Sequence, residues 1–498
     1  MRGKVYLVGA GPGDYKLMTI KGLECIKKAD VIIYDRLANN NYLKEANTNC
    51  EFIYVGKASS NHALPQDDIN RLIADRAKEG KIVTRLKGGD PYVFGRGGEE
   101  AEVLVDEDIE FEVVPGITSA IGGLCYAGIP ITHRNHASSF HVITGHLRDD
   151  DNGELNWNAL ANNNGTLVFL MGIGNLKKIS DNLIKHGKSK YTKVALISWA
   201  TRPNQRVVVS DLENVYEKAI SENVKPPTLI VVGSVVGLRE KLNFFEQKPL
   251  FGKNVMVTRT RLQNSSLVEK IMDLGGNPIE IPTIKIEKVE NNIQLENEIK
   301  DIKNYTYLVL TSKNAVDIFF DKLKELHMDC RILANTNVCA IGSATAKAIS
   351  QRGINPDIVP EKFVAEDLYE ELKHTLKRKD RVLIPRAKNA RNYLVDKLKE
   401  ICYVTEVDTY ETVIDKYYKD EILELIQDEN IDYMTFASSS AVKNFIEIIG
   451  EGNKEKLKKI KIISIGPITS NSINEFKLDI YREAKEATID SMILSMTE

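Results

Sequence analysis

The pattern of short apolar runs in this 498-residue chain begins twice, and that double start limits its architecture more than any other feature. Runs rich in β-formers at 5–8, 31–34, 83–86, 166–171 and 194–198 alternate with segments of helical period, which predicts α/β layering. The alternation breaks in NFFEQKPLFGK at 243–253, where Pro249 and Gly252 follow a charged helical stretch, and a new strand opens at 255–258. Domains hold roughly 100 to 200 residues, so a chain of this length carries three or four compact units and room for two jobs. The joint is expected near 250, dividing the chain into 1–248 and 250–498.

Hydrophobic residues at 43% and charged residues at 28% match a globular protein and exclude a disordered or fibrous one. The 67 basic and 70 acidic residues are interspersed, with a net charge of −3, so nucleic acid and anionic membrane are not expected partners. Cys25, Cys50, Cys125, Cys330, Cys339 and Cys402 are scattered without a CxxC pair, which argues against structural zinc and disulfides and for a reducing cytoplasm. With no secretory h-region and no run of 18 apolar residues, the protein is expected to be neither exported nor membrane-spanning.

GAGPGD at 9–14 follows a strand, and glycine there lets backbone approach a ligand closely. The dinucleotide fingerprint needs a sixth-position glycine, where Asp14 stands, and Pro12 removes a donor, so a Rossmann reading weakens. Alone, the loop reads equally well as a tight turn. It does not stand alone: YDRL at 34–37, VGK at 55–57, RLKGGDPYVFGRGGEE at 85–100, VVPGITSA at 113–120, YAGIPITHR at 126–134, ATRPNQ at 200–205 and PPTLIVVG at 226–233 follow in order. From residue 5 to about 242 the chain closely resembles the uroporphyrinogen III C-methyltransferases. The resemblance implies a two-subdomain α/β tetrapyrrole methyltransferase fold with S-adenosylmethionine, released as S-adenosylhomocysteine, in the cleft between the subdomains. It carries the cofactor site to Pro12, Gly88, Gly89, Asp90, Val93, Thr118, Ser119, Met171 and Ala200. Asp90 would pair with the cofactor's ammonium or ribose hydroxyls, and Met171 would offer adenine a soft apolar contact.

The same resemblance makes Asp35 a proton acceptor and Lys57 a proton donor; capping or local pairing of Asp35, and carboxylate binding by Lys57, stay open. A substrate with eight carboxylates needs cations, for which Arg85, Lys87, Arg96, His133 and Arg134 are candidates. The spacing of His133, His136, His141 and His146 matches no ligand pattern, and no metal is expected.

The second half echoes itself: LVLTSKNAVDIF at 308–319 resembles YMTFASSSAVKNF at 433–445, and CAIGSATAKAI at 339–349 resembles ISIGPITSNSI at 463–473. Each echo places hydroxyl side chains and free N–H groups at a helix start, which attracts anions. Together with VMVTRTR at 255–261, VPEKFVAEDL at 359–368, VLIPRAKNAR at 382–391 and YET at 410–412, these segments resemble uroporphyrinogen III synthase. That family implies a two-lobed α/β fold, one lobe built from about 250–284 plus 412–498 and the other from about 285–411. By motif position Tyr410 would assist loss of the substrate hydroxyl, Ser312, Ser343, Ser438, Ser439 and Thr469 would hold acidic arms, and Arg259 and Arg386 would add cations. Plain helix capping explains each serine equally well.

The two resemblances fit one another, because the product expected of the C-terminal half is the substrate expected of the N-terminal half. One chain would cyclise hydroxymethylbilane and methylate the ring twice to precorrin-2, toward sirohaem or cobalamin, with a homodimer formed through the methyltransferase half. The rivals are a diphthine synthase or later precorrin methyltransferase in the first half, which YDRL, VGK and GRGGEE disfavour, and a non-catalytic tetrapyrrole-binding or regulatory module in the second.

Overall fold

The computed structural model describes residues 3–56, 64–145, 155–258, 261–360 and 365–498. Strands β1 (Lys4–Gly9), β2 (Val31–Tyr34), β3 (Glu51–Tyr54), β4 (Ile82–Lys87) and β5 (Glu110–Val114) form a parallel sheet in the order β3-β2-β4-β1-β5. Val5, Leu7, Val8, Ile32 and Ile33 are fully buried. Such near-continuous apolar runs are what a parallel sheet covered on both faces requires. β4 is the central strand, and from Val83 to Lys87 every residue on it is buried, including Thr84, Arg85 and Lys87.

A second sheet follows, from β6 (Phe140–Thr144), β7 (Thr166–Leu170), β8 (Lys193–Ser198), β9 (Arg206–Asp211) and β10 (Thr228–Val232), in the order β6-β7-β10-β8-β9. Only the β6–β7 pair is parallel. The first half is thus two α/β subdomains facing each other across a cleft.

The chain does not hang loose between the halves. Phe245 is 3% exposed, its ring 4.7 Å from that of Tyr126 and 5.3 Å from that of Phe251. Burying a ring of this size stabilises by about 1.5–3 kcal/mol. Glu246 pairs with Arg239 and accepts from Gln205 Nε2 at 2.9 Å. Leu250, fully buried, already belongs to the core of the second half with Val255 and Ile271. Two ion pairs, Lys16–Asp273 and Lys44–Glu280, both 2.5 Å, tie the halves together.

The second half opens with β11 (Asn254–Val257) and β12 (Asn277–Glu280), then leaves its first sheet for β13 (Ile284–Lys288), β14 (Tyr307–Leu310), β15 (Asn337–Ala340), β16 (Arg381–Ala387) and β17 (Tyr403–Ile414). These five make one sheet, in the order β13-β17-β16-β14-β15. The chain returns through β18 (Tyr433–Phe436), β19 (Lys461–Ser464) and β20 (Ile480–Glu483), which complete the parallel sheet β12-β11-β18-β19-β20. The outgoing strand β13 and the returning strand β17 pair antiparallel, Ile284 opposite Ile414 and Lys288 opposite Tyr410. A twelve-residue β17 therefore joins the two lobes. Both halves are α/β. Among the described residues no helix is long and apolar enough to cross a membrane.

Candidate active site

In the first half a cavity of about 480 Å³ lies between the two subdomains. Its floor depends on glycine. Gly11 and Gly89 exchange backbone hydrogen bonds, Gly11 N–H to Gly89 O at 3.1 Å and Gly89 N–H to Gly11 O at 2.8 Å. Gly116 lies so close that a methyl group added there would sit 2.2 Å from Gly89 O and 2.7 Å from Gly9 Cα. Gly89 has φ +71°, in the left-handed region that glycine adopts without strain. Three loops thus meet backbone to backbone, and the cavity opens above them.

Pro12, Gly88, Gly89, Val93, Thr118, Ser119, Met171 and Ala200 all line this cavity. Thr118 caps the helix Ser119–Tyr126, its hydroxyl accepting from Ala120 N, so the free N–H groups of that helix start at the cavity wall. Asp90 is used differently. Its carboxylate accepts from Tyr92 N at 2.8 Å and Gly116 N at 3.0 Å, fixing the GGDP turn against the next loop rather than facing a ligand. The wall also contains residues that the motif reading did not name: Leu37, Phe94, Trp199, Arg202, Pro227 and Leu229. Phe94, Met171 and Trp199 hold left-handed backbones, φ +54°, +57° and +48°. Strain of this kind costs about 1–3 kcal/mol per residue and persists where the surroundings impose it, commonly at ligand sites. No sequence signal announces it.

Arg85 does not reach the cleft. It is 3% exposed, with Nε 3.2 Å from Glu100 Oε1, Nη1 3.0 Å from Leu86 O and Nη2 3.5 Å from Asp35 Oδ2. Lys87 donates to the same Glu100 oxygen at 2.6 Å. Burial, with Arg85 beside it, pulls the Lys87 ammonium below its ordinary value against the pull of Glu100. Both cations stand on the central strand, covered on both faces, so their partners have to be internal. Asp35 accepts from Leu37 N at 3.0 Å and is half-buried.

Arg96 and Arg134 are exposed. Arg96, at φ +57°, opens the helix Gly97–Asp106 and forks onto Glu99 at 2.9 and 2.6 Å. His133 and His136 meet ring to ring at 5.0 Å, and His141 Nε2 is 2.7 Å from Asn163 Nδ2. No group of three or more His, Cys, Asp or Glu able to hold a metal occurs among the described residues. Lys57, His146 and Arg259 lie outside the described residues.

In the second half the structure brings Tyr410 and Ser312 together, hydroxyl to hydroxyl at 2.9 Å. Tyr410 is 6% exposed on β17, and Ser312 caps the helix Lys313–Glu325 by accepting from Ala315 N at 3.1 Å. Ser343, exposed, begins the helix Ser343–Ser350 in the same lobe. Ser438 and Ser439 lie across in the other lobe, Ser438 capping the helix Ser439–Ile449 through Ala441 N at 3.2 Å. Two expectations need correction. Arg386 is 3% exposed on β16, where it donates to Ala390 O and to Asn392 Oδ1 at 3.0 Å and faces Glu406 at 3.4 Å, so it clamps the turn that follows its strand. Thr469 is 3% exposed within the helix Pro467–Glu475, so its hydroxyl is not offered to solvent as an arm-holder would be.

Comparison with known proteins adds the family. Residues 4–216 match the model of the Tetrapyrrole (Corrin/Porphyrin) Methylases, and residues 265–494 match that of Uroporphyrinogen-III synthase HemD. A porphyrin biosynthesis protein HemD of Ruminiclostridium josui is 40% identical over 497 residues, spanning 100% of this chain and 98% of that one. A uroporphyrinogen-III C-methyltransferase of Priestia megaterium is 51% identical over 234 residues, 47% of this chain and 98% of that one. Among solved structures, a uroporphyrin-III C-methyl transferase from Thermus thermophilus complexed with S-adenyl homocysteine is 39% identical, covering 47% of this chain and 93% of that one with a TM-score of 0.41. The chain belongs to the family of fused proteins that join a tetrapyrrole methylase to a uroporphyrinogen-III synthase.

Proposed function

We propose that the C-terminal half cyclises hydroxymethylbilane to uroporphyrinogen III and that the N-terminal half methylates this ring twice, giving precorrin-2 for sirohaem or cobalamin. The observation that carries the reading is the cavity between the two N-terminal subdomains, in a chain that one relative, a porphyrin biosynthesis protein HemD, matches over its whole length. A volume of about 480 Å³, a helix N-terminus, backbone exposed at glycines and the apolar side chains of Met171 and Leu229 fit a nucleoside attached to an amino acid. S-adenosylmethionine, when bound there, supplies an electrophilic methyl group. Pro12, Gly88, Gly89, Val93, Thr118, Ser119, Met171 and Ala200 would hold it, and Asp90 would act one step removed by fixing the turn.

The chain's own contribution to methylation is alignment, with one proton to remove afterwards. Asp35 is the candidate acceptor: the Leu37 N–H and the Arg85 guanidinium hold its carboxylate in place. Lys57 is the candidate donor. In the C-terminal half, Ser312 positions the Tyr410 hydroxyl, which would assist loss of the substrate hydroxyl, while Ser343, Ser438 and Ser439 would hold acidic arms. Arg96, Arg134 and Arg259 complete the substrate contacts of this reading. A homodimer through the N-terminal half and a cytoplasmic setting belong to it as well.

Burial of Tyr410 favours one second reading, in which the C-terminal half binds a tetrapyrrole without turning it over. Incubating the full chain with hydroxymethylbilane, with and without S-adenosylmethionine, separates the two by absorbance and mass. Type III ring without the cofactor and dimethylated ring with it are the expected products. Type I ring alone would remove the synthase assignment, and unmethylated type III ring the methyltransferase assignment.

A further inference from the structure

Arg36 and Arg202 differ from Arg85 and Arg96. Arg85 and Arg96 each face a carboxylate, whereas Arg36 and Arg202 have no ion-pair partner among the described residues. Both lie against the Trp199 ring, with guanidinium carbons 5.7 and 5.3 Å from its centroid. Arg202 is half-buried, and the one hydrogen bond its side chain makes among the described residues is from Nη2 to Leu37 O at 2.8 Å. Asp14, which lines the second cavity with Arg202, is already engaged by Tyr126 Oη at 2.6 Å and Lys16 N at 2.8 Å. Burial pulls the Arg202 guanidinium down, Tyr42 opposes, and Arg36 adds to the pull. Arg36 is exposed and Arg202 half-buried, so two like charges share one indole ring with no carboxylate set between them among the described residues, and an anion bound beside them would relieve their repulsion.

Their place says whose anion it is. Trp199 and Arg202 line the 480 Å³ cavity, and Arg202 also lines a second, polar cavity of about 500 Å³ that opens between the two halves of the chain. We propose that Arg202 and Arg36 form a guanidinium clamp that binds a ligand carboxylate at the rim of the methyl-donor cavity. Resting on the function proposed above, the carboxylate has two sources: the amino-acid end of the methyl donor, or an acetate or propionate arm of the tetrapyrrole. In the second case the clamp does what Arg85 was expected to do, since Arg85 is locked to Glu100.

Three titrations on the full chain decide it: S-adenosylhomocysteine binding, binding of 5′-methylthioadenosine, which lacks the carboxylate, and the KM for uroporphyrinogen III. Arg202→Gln is expected to weaken one carboxylate ligand by about tenfold, the size of one lost charge-assisted hydrogen bond. Loss for S-adenosylhomocysteine with methylthioadenosine unchanged identifies the donor; a raised KM with both nucleosides unchanged identifies the ring. Arg202→Lys should recover part of the loss, and Arg36→Gln should lose in the same ligand. Equal weakening of both nucleosides would make Arg202 a mere latch on Leu37 and overturn the clamp, as would no change in any titration. If the wild-type chain binds S-adenosylhomocysteine but does not methylate uroporphyrinogen, the functional reading fails separately, and the two nucleoside titrations alone then decide the clamp.

Discussion

Glu100 is a single buried carboxylate that faces two buried cations, Arg85 and Lys87. It is 1% exposed, its Oε1 accepts from Lys87, Arg85 and Gln66, and its Oε2 has no hydrogen-bond partner among the described residues. Glu100→Gln keeps the shape and removes the one carboxylate that Lys87 touches, leaving a buried ammonium uncompensated at a cost of about 3–5 kcal/mol. Trp157 and Trp199 are the chain's two tryptophans, so tryptophan fluorescence in urea reports the N-terminal half alone. The midpoint of that transition should fall markedly. The sign of the pH dependence follows from Lys87, whose folded form already binds its proton less tightly than the ordinary 10.5 and would do so more weakly in the variant. The loss should be largest near neutral pH and shrink as pH rises toward 10.5. An unchanged midpoint would mean that solvent, not Glu100, neutralises the pair. This cluster also marks a limit of the sequence: Arg85 and Lys87 read as ligand cations because nothing in RLKGG says that its strand is the central one, and Arg386 on β16 misled for the same reason.

Elements were more legible where backbone itself makes the contact. The glycines of GAGPGD, KGGDP and VPGIT stand where three chain segments meet; a side chain at Gly9 or Gly116 would collide with main chain, and Gly89 holds a left-handed backbone, so at these positions the residue type itself reports the geometry. Which bulky residues complete the wall was not legible, since Phe94, Met171 and Trp199 owe their left-handed backbones to the folded surroundings. Gly116→Ala tests the point. Its methyl would meet Gly89 O and Gly9 Cα, neither of which can swing aside, so it should cost about 1–3 kcal/mol by overpacking and push Gly89 into the cavity. Calorimetric titration should show S-adenosylhomocysteine binding largely lost while type III ring formation from hydroxymethylbilane continues at the wild-type rate. Retained affinity would show that the cavity floor yields, and would detach the donor site from this glycine contact.

At the scale of the whole molecule, the double start of the strand pattern leads one to expect a joint near 250, but nothing in that pattern says that the stretch is packed. NFFEQKPLFGK reads as a linker through Pro249 and Gly252, yet Phe245 is wedged against Tyr126 of the first half and Leu250 is sealed in the core of the second. The ion pairs Lys16–Asp273 and Lys44–Glu280 contribute at most about 1 kcal/mol each at such exposure. Apolar packing at the joint therefore decides how firmly the halves are held. Phe245→Ala removes a buried ring, a change that costs about 3–5 kcal/mol where neighbours cannot collapse into the space. Lys241 and Lys253 flank the packed stretch, so trypsin should leave the wild-type joint intact over a time course in which the variant separates into two fragments of roughly half the chain. Both fragments should keep their own folds, because each sheet closes within its own half. Equal cleavage of wild type and variant would show the joint to be a loose tether, and the second cavity, whose walls come from both halves, would then lose its fixed shape.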